Sequence, residues 1–244
     1  MYFARKVLPQ FDLNSTGGGS VIIAHNKSVR LAQWFAASCL FGLLLFGLAG
    51  RLDLPMYWSY FVICVGKGLW IALRMDPGLA GERNRPGPGG VDHFTWHFST
   101  LLFAAHWIIA PLEVGRFHWS APVPQSLQFA GLLVFAIFGG LTIWAVVVNR
   151  FFSPVVRLQE DRGHHLVTLG PYRFVRHPGY LGMVLSVPAS ALVLGSWLAM
   201  IPAMGYALVI LRRAILEDQF LRRNLDGYEA YAAAVRYRLV PGLW

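Results

Sequence analysis

Between two very apolar regions lies the most polar stretch of the chain, His164-His165-Leu166-Val167-Thr168-Leu169-Gly170-Pro171-Tyr172-Arg173-Phe174-Val175-Arg176-His177-Pro178-Gly179-Tyr180. It holds three of the eight histidines together with two arginines and two tyrosines, side chains that donate, accept and stack around a polar ligand. Pro171 and Pro178 push the residues before them toward extended geometry, which disfavours a continuous helix, and Gly170-Pro171 is a turn signal. Irregular polar backbone pressed against a membrane is costly unless it lines a site.

A second cluster, Arg212, Arg213, Glu217 and Asp218, follows the last apolar run. Arg213 and Glu217 are four residues apart and share one helical face. The plainer reading is an exposed ion pair worth about 0.3–0.5 kcal/mol. The functional reading is that Arg213 holds an anionic group while Glu217 binds a polar or cationic cofactor. The spacing alone leaves both open.

These residues need elements to carry them. Of 244 residues 56% are hydrophobic and 14% charged, and the mean hydropathy is +0.49. Soluble chains average about 25% charged, so this composition points to a polytopic membrane protein. Six spans are expected, at about 31–50, 56–73, 96–112, 127–148, 181–194 and 198–211, the last continuing as an amphipathic helix to about 225. The final two runs are short for a bilayer, which takes about 20 residues, and would form a tilted hairpin kinked at Pro188 and Pro202. Residues 74–96 read as a polar loop whose prolines and glycines exclude regular structure. Residues 1–29 read as a cytoplasmic arm, and 30–244 as a single transmembrane domain. The first apolar run begins some thirty residues in, so no cleavable signal peptide is expected. Lys67 interrupts the second span and reads as a snorkelling or internally paired lysine rather than a catalytic one. Cys39 and Cys64 both fall in apolar runs and read as small packing residues.

Charge orients the spans. Of the twenty-one lysines and arginines, eighteen fall on the side of the termini, the 74–96 loop and the 164–180 segment, and only Arg51 and Arg116 on the other. That asymmetry predicts a cytoplasmic location for both termini and for the polar segment. It also accounts for the net charge of +9 without nucleic acid as a partner.

At this point the residues carry a resemblance. Gly170-Pro171-Tyr172-x-x-Val175-Arg176-His177-Pro178-x-Tyr180, then Glu217-Asp218, then Gly227-Tyr228-x-x-Tyr231, resembles the isoprenylcysteine carboxyl methyltransferase family, whose wider superfamily includes phospholipid methyltransferases. Glu82-Arg83-x-Arg85-Pro86-Gly87 is also similar to a stretch of bacterial members. The match covers roughly residues 75–244. It implies an all-α integral membrane enzyme that uses S-adenosylmethionine, bound in a cytoplasmic pocket between the polar segment and the C-terminal hairpin. It further implies that His164, His165, Leu166, Val167, Tyr172, His177, Pro178, Gly179, Tyr180 and Glu217 line the cofactor site, with Gln159 near it and Arg213 against the substrate. Asp218 departs from the family's usual pair of glutamates. The implied reaction is in-line methyl transfer to a lipophilic or lipid-anchored acceptor, a carboxylate first and a phospholipid amine or small thiol as alternatives. Tyr172 and Tyr180 could stack on adenine or face a sulfonium, the plainer reading of each being an interfacial aromatic. Other readings weighed are an NADPH-dependent sterol-type reductase, a di-iron oxygenase from His93-x-x-x-His97, and a transporter subunit.

Overall fold

The structure, a computed structural model, describes residues 27–244. Among these residues every regular element is helical: α1 (Lys27–Ala49), α2 (Pro55–Arg74), α3 (Pro77–Asn84), α4 (His93–Leu112), α5 (Gln125–Val148), α6 (Pro178–Val193), α7 (Met200–Asn224) and α8 (Tyr228–Ala234). α4 runs directly into a turn of π-helix at Glu113–Phe117. The arm expected at residues 1–29 lies outside the described residues up to position 26, and 27–29 open α1.

Four segments are long and apolar enough to cross a membrane: Lys27–Ala49, Pro55–Arg74, His93–Phe117 and Gln125–Val148. Their large side chains point outward as well as inward. Leu43 is 71% exposed and Leu133 63%, a distribution that suits lipid rather than water. α6 is a shorter apolar helix of 16 residues. α7 has 25 residues and carries its charges in its second half, from Arg212 onward.

Small residues set the packing. A Cβ at Gly131 would sit 2.8 Å from Leu192 Cβ and 3.0 Å from the Ala189 carbonyl oxygen, and one at Gly182 would come within 2.5 Å of the Phe138 carbonyl oxygen. α5 and α6 therefore meet backbone to backbone, as apolar solvent favours. Lys67 is paired internally: Nζ donates to the Phe135 carbonyl at 3.1 Å and lies 3.5 Å above the Phe135 ring. At the end far from the polar segment, Tyr57 donates to the Ala110 and Leu194 carbonyls at 3.2 and 3.1 Å. There the buried Glu113 carboxylate accepts from Ser120, Ser196 and the Leu198 amide, tying the π-turn to the α6–α7 turn.

The 74–96 segment corrects the expectation of an irregular loop, because α3 lies within it and α4 starts at His93. The proline signal has the opposite meaning here. Asp76 caps α3 by accepting from the Leu79 amide at 3.0 Å, and Pro77 occupies the first turn, where a missing N–H costs nothing.

Candidate active site

The polar segment folds against the second half of α7. A 3-10 turn at Gly170–Arg173 and the proline that opens α6 break it where the sequence predicts, and Gly170 takes a φ of +58°. The C-terminal tail returns to it. The Arg176 and His177 amides donate to the Tyr237 and Arg238 carbonyls, each at 2.9 Å.

Asp218 joins these pieces. It is fully buried, and Arg176 Nε donates to its Oδ1 at 2.7 Å, Tyr228 at 2.9 Å, and Arg238 and Arg222 to Oδ2 at 3.0 and 3.3 Å. His177 Nε2 lies 3.4 Å from Oδ1. Burial would raise the Asp218 pKa. The hydrogen bonds from His177, Arg176 and Arg238 outweigh it and hold the carboxyl below the usual carboxylate range.

Around this hub lies a narrow polar cavity of about 50 Å³, lined by His164, His165, Leu166, Val167, Tyr172, His177, Tyr180 and Glu217, with Asn149, Phe152, Arg176, Tyr228 and Tyr231 among the remainder. A second cavity of similar size adjoins it and is lined by Gln159, His164, Tyr180, Glu217 and Arg157 among others. The His177 and Tyr180 rings stack at 5.6 Å. The His164 ring packs on Phe151 at 4.5 Å, and the Gln159 amide donates to His164 Nδ1 at 3.2 Å. Burial lowers the His164 pKa to about 4, so this nitrogen stays an acceptor at neutral pH. Glu217 Oε2 accepts from the Tyr180 hydroxyl at 2.5 Å, and Oε1 accepts no hydrogen bond from the described residues.

Behind the Tyr180–Phe152 wall is a larger cavity of about 260 Å³, lined by Arg83, Trp96, Ser99, Thr100, Phe103, Phe152, Tyr180, Met183, Tyr206 and Arg213 among others. Arg213 is 4% exposed. Its Nε donates to the Tyr180 hydroxyl at 2.8 Å, Nη2 to the Ser153 carbonyl at 2.9 Å, and Nη1 to the Pro154 carbonyl. It sits 3.7 Å from Glu217 Oε2. The exposed-pair reading of Arg213 and Glu217 does not hold, since the guanidinium is buried and clamps an irregular segment sixty residues away.

The structure thus brings eight of the expected residues to one cavity and Gln159 to its neighbour. The Gln159 side chain is itself occupied: it donates to the Phe151 carbonyl at 2.7 Å and accepts from Arg162. Pro178 and Gly179 are buried at the start of α6 and line neither cavity. A Cβ at Gly179 would sit 2.5 Å from the Phe152 ring, so this glycine lets Phe152 form the wall between the cavities. Asn149, Phe152, Arg176, Tyr228 and Tyr231 also line the site. Arg176 and the two tyrosines stand in the motifs quoted above, whereas Asn149 and Phe152 carry no sequence signal.

Residues 126–226 match the phospholipid methyltransferase family. A probable protein-S-isoprenylcysteine O-methyltransferase of Oryza sativa subsp. japonica is 31% identical over 115 residues, covering 45% of this chain and 59% of that protein. Its counterpart in subsp. indica matches equally. The chain thus spans about three fifths of the length of these rice relatives. The protein-S-isoprenylcysteine O-methyltransferase of Schizosaccharomyces pombe is 26% identical over 211 residues, covering 84% of this chain and 81% of that protein. The matched region contains the polar segment, α6 and the Glu217-Asp218 pair, so the likeness to these methyltransferases falls on the residues that line the site.

Proposed function

We propose that this protein transfers a methyl group from S-adenosylmethionine to the carboxylate of a lipophilic, prenylcysteine-like acceptor at the cytoplasmic face of a membrane. The observation that carries this reading is the Tyr180 hydroxyl, hydrogen-bonded to Glu217 of one cavity and to Arg213 of the other. A donor and an acceptor bound on either side of Tyr180 would meet at a fixed separation, and methyl transfer needs little more than alignment and exclusion of water.

The residues of the narrow cavities suit the donor. The unpartnered Oε1 of Glu217 can accept from ammonium or ribose hydroxyl groups, and stacked His177 and Tyr180 present a face to a planar base or a cationic sulfur. When bound, S-adenosylmethionine supplies a methyl group on a cationic sulfur that a carboxylate takes by in-line displacement, an ester and a neutral thioether forming with no proton transferred. No general base is required, because the acceptor is already ionised at neutral pH. The chain's tasks are to orient the carboxylate by the guanidinium charge of the larger cavity, whose shape Arg213 sets, to hold the prenyl body among Trp96, Phe103, Met183 and Tyr206, and to keep water out. The cytoplasmic placement rests on the excess of lysine and arginine on the side of the polar segment, and the count of six spans on pairing α6 with α7 as a re-crossing hairpin.

Calorimetry of the detergent-purified protein with S-adenosylmethionine, its demethylated product and NADPH tests the cofactor. Saturation at about 100 times the dissociation constant adds roughly 2.7 kcal/mol of stability for the true ligand. Stabilisation by NADPH alone overturns the proposal. Label transfer to a panel of lipophilic acids, thiols and amines tests the acceptor, with acids expected to lead.

A further inference from the structure

We infer that Arg83, rather than Arg213, makes the direct contact with the acceptor's carboxylate and selects anionic acceptors over their neutral analogues. This rests on the methyltransferase reading and names the group that sets its substrate class.

The two guanidiniums of the larger cavity differ in what they already hold. Arg213 has three of its N–H groups committed, to Tyr180, Pro154 and Ser153. Its fork is a strut that shapes the cavity. Arg83 has one bond, from Nη1 to the Phe152 carbonyl, at 3.4 Å. Its guanidinium lies 6.0 Å from the Phe152 ring centre, on the same wall, and it forms no ion pair among the described residues. Most of its five donors therefore remain for a ligand.

Each neighbouring carboxylate has a partner other than Arg83. Glu82, one residue away, is gripped by Arg157 through Nε–Oε1 at 2.8 Å and Nη2–Oε2 at 2.7 Å, and it accepts from Ser153. Asp92 is paired with Arg212 at 2.9 Å. Glu217 faces the other cavity and accepts from Tyr180. The lining of the larger cavity thus carries two cations and no carboxylate. Two guanidiniums beside aromatic walls, one of them short of acceptors, form a site for an amphipathic anion. Burial and the charge of Arg213 both lower the Arg83 pKa, as expected of a cation that lacks its counter-ion.

The charge change of the reaction gives the arrangement a use. The acceptor enters as an anion and leaves as a neutral ester, so a cation held at the carboxylate favours the substrate over the product. Without it, an ester of the same apolar body would bind as well as the acid and inhibit turnover.

The test uses the full-length protein in detergent with an N-acetyl-S-prenylcysteine as probe, in its acid and methyl ester forms. For the wild type the acid is expected to bind about ten-fold more tightly than the ester, with S-adenosylmethionine absent. Arg83→Gln is expected to abolish that preference and to raise the KM for the acid at least ten-fold. The S-adenosylmethionine Kd should stay within two-fold, and Arg83→Lys should recover part of the loss. An unchanged acid-to-ester ratio in Arg83→Gln, with cofactor binding and acid turnover intact in the wild type, overturns this inference alone. Equal weakening of acid and ester overturns it in favour of a packing role on Phe152. Recovery of the acid preference on adding anionic phospholipid vesicles to Arg83→Gln also overturns it, since the selecting charge would then lie in the membrane. Failure of the wild type to bind S-adenosylmethionine sinks the underlying methyltransferase reading instead.

Discussion

Arg213 Nε donates to the Tyr180 hydroxyl at 2.8 Å, and this one hydroxyl is the shared wall of two cavities that differ in chemistry. The hydroxyl then donates to Glu217 Oε2 at 2.5 Å. Tyr180 thereby keeps a buried cation and a carboxylate from collapsing onto each other, their closest approach being 3.7 Å.

Removing the members of this chain should separate two functions. Glu217→Gln is expected to weaken S-adenosylmethionine binding by about 1.5–3 kcal/mol, the usual contribution of a hydrogen bond to a charged group. Arg213→Lys should leave that affinity nearly unchanged and lower turnover, because an ammonium cannot reach Tyr180, Ser153 and Pro154 together as the planar fork does. Calorimetry and single-turnover kinetics on the two variants decide it, and small, equal effects on both quantities would return the pair to a structural role.

Asp218 should govern folding rather than chemistry. Asp218→Asn leaves Arg176 without its counter-ion in a buried setting and loosens Arg222 and Arg238. Breaking one partner of a buried pair costs about 3–5 kcal/mol. Thermal unfolding in detergent should show a large drop, and a variant within about 1 kcal/mol of the wild type would contradict the hub described above.

Two glycines offer a paired test of helix contact. Gly182→Ala forces a methyl group against the Phe138 carbonyl and Thr142 of α5, at a cost of about 1–3 kcal/mol or more. Gly140→Ala, where a Cβ meets nothing within 4 Å, should be neutral or stabilising by up to about 1 kcal/mol. Comparing the unfolding midpoints of the two variants checks the closeness of α5 and α6.

The pH dependence of stability should carry the mark of His164. In the unfolded chain its imidazole takes up a proton near pH 6.5, whereas burial delays this to about pH 4 in the folded protein. Between these values the unfolded state binds more protons. The stability is thus fully present above pH 6.5 and declines as pH falls toward 4. His164→Asn keeps an acceptor for the Gln159 amide and cannot titrate there. Its unfolding midpoint should fall less than that of the wild type over this window.

Much of the molecule is legible in the chain because its causes are local. Runs of apolar residues state the length of a membrane helix, and α1, α2, α4 and α5 begin and end within a few residues of the expected spans. The two prolines of the 164–180 segment break it where they stand, and eight of the expected site residues, from His164 to Glu217, share one cavity. What the tertiary structure decided depends on partners far apart in sequence. Pro77 reads alone as a breaker, and only the Asp76 cap makes it a helix start. Gly179 looks like part of a ligand loop, and its smallness instead serves Phe152. Arg213 and Glu217 look like a surface pair until Ser153 and Pro154, some sixty residues earlier, arrive over the guanidinium. Periodicity and turn chemistry record what a residue does to its own backbone. Which carbonyl or carboxylate satisfies a buried guanidinium is settled only when separate segments close over it, since the desolvation that makes the pairing obligatory does not exist until they meet.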